Sequence, residues 1–102
     1  MATIVVLFNL KAGAFISDYE TWAKFKDIPT VKSLQSISDF KVMKMGNLLG
    51  TVTASPYQYC EMIKVKDMDV FFADLGREDV QAGAKAFGEF ADNPMFIVAN
   101  DI

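Results

Sequence analysis

Four polar side chains fall at the ends or in the middle of apolar predicted strands and could together carry out acid–base chemistry. Asn9 ends the run 3–10, and Tyr57, Tyr59 and Glu61 alternate along a later strand, which places those three on one face. A carboxylate in an apolar site acquires a raised pKa and can act as a general acid or base. Tyrosine hydroxyls and an asparagine amide can hold a carbonyl or enolate oxygen. The pattern predicts catalytic roles for Glu61, Asn9 and Tyr59.

A purely structural role accounts for the same residues. Glu61 can form a cross-strand ion pair with Lys41 or Lys44, and the tyrosine hydroxyls can lie at the rim of the sheet. Because cross-strand charge pairs are common, we give this alternative the greater weight. The alternation of side chains does not reveal which face of the strand lies under the helices. Both interpretations therefore stay open from the sequence.

Three aromatic residues recur along the first predicted helix and could form one wall of a flat cavity. Tyr19, Trp22 and Phe25 would then pack against an aromatic ligand, although an aromatic stripe at helical spacing is more often plain core. Asp92 precedes an Asn-Pro pair and could point into a pocket mouth, whereas Asp and Asn before Pro are also common turn formers. The predicted substrate-binding residues are Trp22, Tyr19, Tyr57 and Asp92.

The 102 residues include no histidine and a single cysteine, which excludes several kinds of site. Ser-His-Asp and Cys-His nucleophiles, a haem histidine and His-based or multi-cysteine zinc sites cannot be built. We therefore predict no metal and no cofactor. A reactive thiol needs a neighbour that stabilises the thiolate, so Cys60 is predicted to be a small buried residue.

Charge and hydropathy restrict the partners and the compartment. A net charge of −3 with one arginine, Arg77, argues against nucleic acid as a partner. No apolar run approaches the roughly 20 residues that a membrane-spanning helix needs. A lone cysteine suits a reducing compartment, so we expect a cytoplasmic protein.

Strand and helix signals alternate along the chain. Apolar, β-branched or alternating stretches predict strands over 3–10, 38–46, 57–66 and 95–99. A connection of about ten residues, 46–56, joins the second and third strands and could border a site. Asp67 or Asp69 is expected to cap a helix that ends near residue 76. Apolar residues at spacings of four, three and four predict a further helix over 78–91.

The first helical region carries two start signals. Ser17 and Glu20 form a capping box, in which each side chain can bond the backbone N–H of the other residue, so a helix is expected from Asp18. Asp27 stands two residues before Pro29 and predicts a cap followed by a helical restart. The second piece is expected to end at about residue 34.

The order of elements is β-α-β-β-α-β, the ferredoxin-like arrangement of an α+β fold. It predicts one domain over 1–102, in which a four-stranded antiparallel sheet carries helices on one face. Nearly every strand has apolar residues on both faces, and a single helical layer cannot cover both. We therefore predict that a second copy of the chain packs on the uncovered face, which gives a homodimer of the dimeric α+β barrel type.

The chain resembles the RedY-like family of prodiginine pigment biosynthesis over essentially its whole length. Joint order and spacing carry the resemblance rather than any single motif. The matching stretches are Val6-Leu7-Phe8-Asn9-Leu10-Lys11, Tyr19-Glu20-x-Trp22-Ala23, Gly46-x-Leu48-Leu49-Gly50, Pro56-Tyr57-x-Tyr59-x-Glu61-x-Ile63, Asp67-Met68 and Phe90-Ala91-Asp92-Asn93-Pro94-x-Phe96-Ile97. The resemblance implies a dimeric α+β barrel in a secondary-metabolite pathway. No residue can be carried over from the family as catalytic.

Members of this family are associated with the bipyrrole branch of prodiginine pigments, and relatives in bisindole pathways resemble cofactor-free cyclisation enzymes. The resemblance implies a cofactor-free enzyme that condenses or cyclises a pyrrole- or indole-like intermediate. One alternative is a non-catalytic accessory protein for a pathway enzyme or intermediate, and another is a cofactor-free monooxygenase. An enzyme should enclose a pocket of at least about 300 Å³ that touches Asn9 or Glu61, whereas an accessory protein should expose an apolar patch outside the dimer contact.

Overall fold

Four strands and several helical segments lie within residues 2–102, the part of the chain that this computed structural model describes. A π-helical turn joins the first two helices into one continuous helical stretch. The elements are β1 (Ala2–Leu10), α1 (Ile16–Trp22), the π-helical turn (Ala23–Asp27), α2 (Ile28–Lys32), β2 (Ile37–Lys44), β3 (Tyr59–Val65), α3 (Met68–Asp74), α4 (Glu78–Phe90) and β4 (Ala91–Asn100).

The four strands form one antiparallel sheet in the order β2-β3-β1-β4. β1 lies in the interior, where Phe8 pairs with Tyr59 of β3 and Ile4 pairs with Val98 of β4. β2, which follows the first helical stretch, therefore lies beside β3, and β4, which follows α4, lies beside β1. This topology confirms the predicted α+β, ferredoxin-like fold.

One face of the sheet is covered by the helices. Val6 and Phe8 of β1 are fully buried and Ile4 is nearly so. Glu61 pairs with Val6, and Ile63 pairs with Ile4, so both share that covered face. The strand pairing thus settles what the sequence left open, because it places Glu61 beneath the helices.

The opposite side of the sheet, called here the bare face, carries large apolar side chains without a helical cover. Leu7 pairs with Met95 and with Cys60, and Cys60 pairs in turn with Met43. Ile97 of β4 lies on the same side and is 43% exposed. Apolar side chains in such numbers are usually covered in a folded assembly.

The first helical stretch begins and continues differently from the prediction. α1 begins at Ile16 after the extended residue Phe15, and no side chain caps it, so the predicted capping box of Ser17 and Glu20 is wrong. Asp27 is not a cap either, because its backbone is helical and the chain runs through it into α2. Pro29 has no N–H for an α-helical bond, and the wider π-helical turn before it accommodates this.

The later elements agree better with their sequence signals. The Asp67 carboxylate accepts hydrogen bonds from the N–H groups of Asp69 (2.9 Å) and Val70 (3.2 Å), which confirms Asp67 as the cap of α3. β4 begins at Ala91, four residues earlier than predicted. Asn93 adopts a positive φ of 44° at a register shift opposite β1, and this bulge lets an edge strand include a proline.

Candidate functional site

A cavity of about 670 Å³ lies between the helices and the covered face of the sheet. Ile4 and Ile63 form part of its floor, and Trp22, Phe71 and Phe87 contribute aromatic walls from three different helices. The lining is mostly apolar, which suits a flat, poorly hydrated ligand. Its volume exceeds the roughly 300 Å³ expected of an enzyme pocket, and Glu61 belongs to its lining.

Glu61 presents the buried carboxyl group of this cavity. The residue is only 5% exposed, and its Oε2 atom has no hydrogen-bond partner among residues 2–102. Burial raises the pKa of Glu61 to about 8, and the nearby charge of Asp27 adds to the rise. A carboxyl with this pKa is protonated at neutral pH and can either donate or accept a proton.

The cross-strand ion pairs considered for Glu61 are not formed in the described part of the chain. Lys44 bonds Glu20 instead, with 3.2 Å between Nζ and Oε2, and Lys41 lies 4.0 Å from Asp39. Lys41 pairs with Met62 in the strand register and so lies on the bare face. The predicted ion pair of Glu61 with Lys41 or Lys44 is therefore wrong, because both lysines contact other carboxylates.

Asp27 also belongs to the candidate site, although the sequence pattern predicts only a helix cap there. It ends the π-helical turn and lines the cavity together with Glu61. Burial raises the pKa of Asp27 to about 6. One signal could have revealed it, since Tyr19, Ala23 and Asp27 recur at a spacing of four and continue the buried side of the helical stretch.

Trp22 lies where the sequence analysis placed it, on a wall of the cavity. Its ring lies 5.7 Å from Phe90 and 6.1 Å from Tyr19, centroid to centroid. These aromatic neighbours fix the indole in one orientation. Phe25 is 73% exposed and does not join this wall.

Tyr19 and Tyr59 form an aromatic cluster beside the cavity without lining it. Both are almost completely buried, and their ring centroids are 4.8 Å apart. The Tyr59 hydroxyl donates to Glu20 Oε2 at 2.7 Å, whereas the Tyr19 hydroxyl has no partner in the described residues. Burial holds the pKa of each phenol above its usual range. Both phenols therefore remain neutral at physiological pH.

Asn9 lies away from the cavity and fastens the 46–56 connection to β1. Its Nδ2 donates to the Pro56 carbonyl at 3.1 Å, and its Oδ1 accepts from the Gln58 N–H at 2.9 Å. The side-chain oxygen of Gln58 in turn accepts a hydrogen bond from the Leu10 N–H at 2.6 Å. The amide is thus occupied by main-chain groups, and the connection contributes no residue to the cavity lining.

The remaining predicted residues are not brought to the cavity. Asp92 is exposed and pairs with Asn9 in the sheet. The Tyr57 hydroxyl lies 4.0 Å from the Met95 sulfur atom. Cys60 is buried, as predicted, and lies on the side of the bare face. Of the seven predicted site residues, the structure brings Glu61 and Trp22 into the cavity lining.

The raised pKa of Glu61 predicts how the free energy of unfolding depends on pH. Glu61 has a pKa of about 8 in the folded chain against 4.5 when solvated, so the folded state binds more protons between these values. The free energy of unfolding should therefore fall by roughly 4 kcal/mol as the pH rises from 4.5 to 8. Glu61→Gln should remove most of this fall in urea titrations at several pH values. An equal fall in that variant would contradict the assigned pKa.

Between residues 2 and 102 no group of three or more His, Cys, Asp or Glu is placed to hold a metal ion. No helix in the same range is long and apolar enough to cross a membrane.

A family profile and a crystal structure both relate the chain to the same family. The profile of a family described as REDY-like protein HapK matches residues 2–102. The crystal structure of HapK from Hahella chejuensis is 26% identical, with a TM-score of 0.78, and the match covers 100% of this chain and 93% of that one. No curated protein sequence matches the chain.

Two further solved structures share the fold at lower identity. SnoaB, a cofactor-independent oxygenase from Streptomyces nogalater that was solved as a mutant, is 11% identical with a TM-score of 0.74, and the match covers 98% of this chain and 90% of that one. A dimeric ferredoxin-like protein of unknown function from Thermobifida fusca is 14% identical with a TM-score of 0.73, again over 98% and 90%. At these identities the likeness shows the fold alone.

Proposed function

The chain belongs to the REDY-like HapK family, and on that premise we propose that it is a cofactor-free enzyme of secondary-metabolite biosynthesis. It would bind a flat pyrrole- or indole-like intermediate, in the bipyrrole branch of a prodiginine-type pathway, and promote its condensation or cyclisation. The proposed compartment is the cytoplasm. One observation carries the proposal, namely a buried carboxyl inside an apolar cavity of about 670 Å³, whose Oε2 atom has no hydrogen-bond partner among residues 2–102.

The chemistry assigned to Glu61 is a proton shuttle during carbon–carbon bond formation. The protonated carboxyl donates its proton to a carbonyl oxygen while an electron-rich ring carbon attacks the carbonyl carbon. The resulting carboxylate then removes the proton from the ring carbon that made the attack, which restores aromaticity and regenerates the acid. Apolar walls hold the two reacting groups together and exclude water, which contributes positioning.

Trp22 is proposed to support the ring face of the intermediate. Tyr19 and Tyr59 lie behind the cavity, and we propose that they act indirectly by holding Trp22 and the sheet in place. Asn9, Tyr57 and Asp92 are outside the lining, so the proposal gives them no contact with substrate.

A cavity-filling substitution tests whether the intermediate occupies this space. Gly83 of α4 lines the cavity, and a Cβ added there meets nothing within 4 Å. Gly83→Leu should fill the cavity, favour the helix slightly and slow consumption of the intermediate at least about tenfold. The measurement adds purified protein to an extract of a strain that lacks this gene and follows the accumulated intermediate by mass spectrometry.

Gly88→Leu provides the matched control for this substitution. Gly88 lies on the same helix, is exposed and also has free space around an added Cβ, but it does not line the cavity. This variant should consume the intermediate at the wild-type rate. Equal rates for wild type, Gly83→Leu and Gly88→Leu would refute the location of the site.

We also propose a homodimer that forms through the bare face. Support comes from the exposed apolar residues Met43, Met95 and Ile97 on that face. The Thermobifida fusca structure that shares the fold is described as dimeric. Packing two such faces would bury apolar surface that one layer of helices leaves in water.

A non-catalytic accessory role is the second candidate, and exposed apolar side chains outside the bare face favour it. Leu49 and Val52 on the 46–56 connection are almost fully exposed, which suits contact with a pathway enzyme. Purified protein that consumes no intermediate alone, but accelerates another enzyme in the extract, would favour this role. Oxygenation is a further alternative that rests on the shared fold with SnoaB.

A further inference from the structure

Besides Asp79, two carboxyl groups line the cavity, Glu61 from the sheet and Asp27 from the π-helical turn. We propose that Asp27 is a substrate-binding residue that accepts a ring N–H of the ligand, so that the cavity selects neutral N–H heteroaromatics. This inference rests on the proposed function, because it names the class of substrate for the same cavity. It adds a recognition contact to the acid–base role of Glu61.

Carboxyl groups are the commonest polar groups of the cavity lining. Asp27 and Glu61 line it with Thr30, and none of the salt bridges within residues 2–102 involves either carboxyl. Asp79 also lines the cavity, but Arg77 already holds its carboxylate at 2.7 Å. An apolar site that carries hydrogen-bond acceptors binds most tightly a ligand that supplies hydrogen-bond donors.

The charge of the cavity excludes the other common classes of flat ligand. An anionic ligand, such as an aromatic carboxylate or a phosphate ester, would bring a second negative charge close to the ionised Asp27 and would be repelled. Lys26, the one cationic residue of the lining within residues 2–102, is exposed, and water screens its charge. A ring with acceptors only would offer no donor to the half-buried Asp27 carboxylate.

The roles of the two carboxyls separate because their surroundings differ. Burial and the charge of Asp27 keep Glu61 protonated at neutral pH, whereas the pKa of Asp27 is raised only to about 6. Asp27 is thus the ionised acceptor, which forms the stronger hydrogen bond with an N–H donor. Glu61 keeps its proton for the carbonyl group. A ligand held by its N–H at Asp27 lies against Trp22 between the two carboxyls.

A pair of probes that differ mainly in the N–H groups tests the proposal. The rings of 2,2′-bipyrrole carry two N–H donors, and 2,2′-bithiophene has a closely similar shape with sulfur in their place. Affinities can be measured by calorimetry at pH 7. The Nε1–H resonance of Trp22, the only tryptophan of the chain, reports whether each probe enters the cavity. We expect 2,2′-bipyrrole to bind at least about tenfold more tightly and to shift that resonance.

Asp27→Leu should abolish the preference by weakening the binding of 2,2′-bipyrrole alone. Asp18→Leu is the matched control, because Asp18 is exposed on α1 and does not line the cavity. It should keep the tenfold preference. A preference that persists in Asp27→Leu would overturn the assignment to Asp27. Both probes are measured on the same variant, so a lower stability of that variant does not account for their relative affinity.

The other outcomes separate this inference from the proposed function. Equal binding of both probes, each with a shifted Trp22 resonance, would overturn N–H recognition and leave the cavity as the site. Absence of any shift with either probe would overturn both the inference and the proposed ligand site.

Discussion

Glu61→Gln is expected to slow consumption of the accumulated intermediate by roughly 10²- to 10⁴-fold, the usual contribution of a positioned general acid or base. Glutamine has nearly the size of glutamate, but its amide neither gives nor takes a proton in this range. Glu61 pairs with Val6 and Val42 in the sheet, and both neighbours remain in place. The rate is measured in the extract of the strain that lacks this gene.

A second signature of the same carboxyl is the pH dependence of the wild-type rate. The reactive form is the protonated one, and the pKa of Glu61 is raised to about 8, so the rate should decline above that pH. Glu89→Gln is the matched control, because Glu89 is exposed on α4 and outside the cavity lining. A Glu61→Gln variant with the wild-type rate would exclude acid–base catalysis by this residue.

Met62→Lys is expected to convert a dimer into a monomer. Met62 lies on β3, an inner strand, and pairs with Val5 and Lys41, which places its side chain near the middle of the bare face. In a twofold-symmetric interface the substitution buries two like charges. The dissociation constant of the dimer should rise by about a thousandfold or more, since the cost of two buried charges is large.

Sedimentation at micromolar concentration measures this change. Wild type should sediment with twice the chain mass and Met62→Lys with the chain mass, while circular dichroism stays the same because the substituted side chain points away from the core. Leu49→Lys is the control, since Leu49 is fully exposed outside the bare face, and it should remain dimeric. A wild-type protein that sediments as a monomer would exclude the proposed homodimer.

The sequence predicts the order of elements well because each strand and helix carries its own local signal. Alternation along β1 and the apolar spacing of α4 depend only on neighbours in the chain. The side of Glu61 depends instead on the pairing of β3 with β1, and that pairing joins residues far apart in the chain, such as Val6 and Glu61. Periodicity within one strand contains no information about it.

The candidate site shows the same division between local and long-range information. Asn9 looked catalytic because an amide in an apolar strand needs a partner, but its partners are Pro56 and Gln58 across the sheet. Asp27 looked like a helix cap because Pro29 follows it. The helical stretch continues through both residues, so Asp27 turns towards the cavity. Rules based on neighbouring residues therefore predict roles for Asn9 and Asp27 that their tertiary contacts do not support.

The location of the bound intermediate tests the proposed site most directly. A crystal structure of the protein with the intermediate that accumulates in the strain lacking this gene should show its rings against Trp22, with polar atoms within hydrogen-bond distance of Glu61. Density for the intermediate on the bare face or on the 46–56 connection, with the cavity empty, would contradict the proposed site.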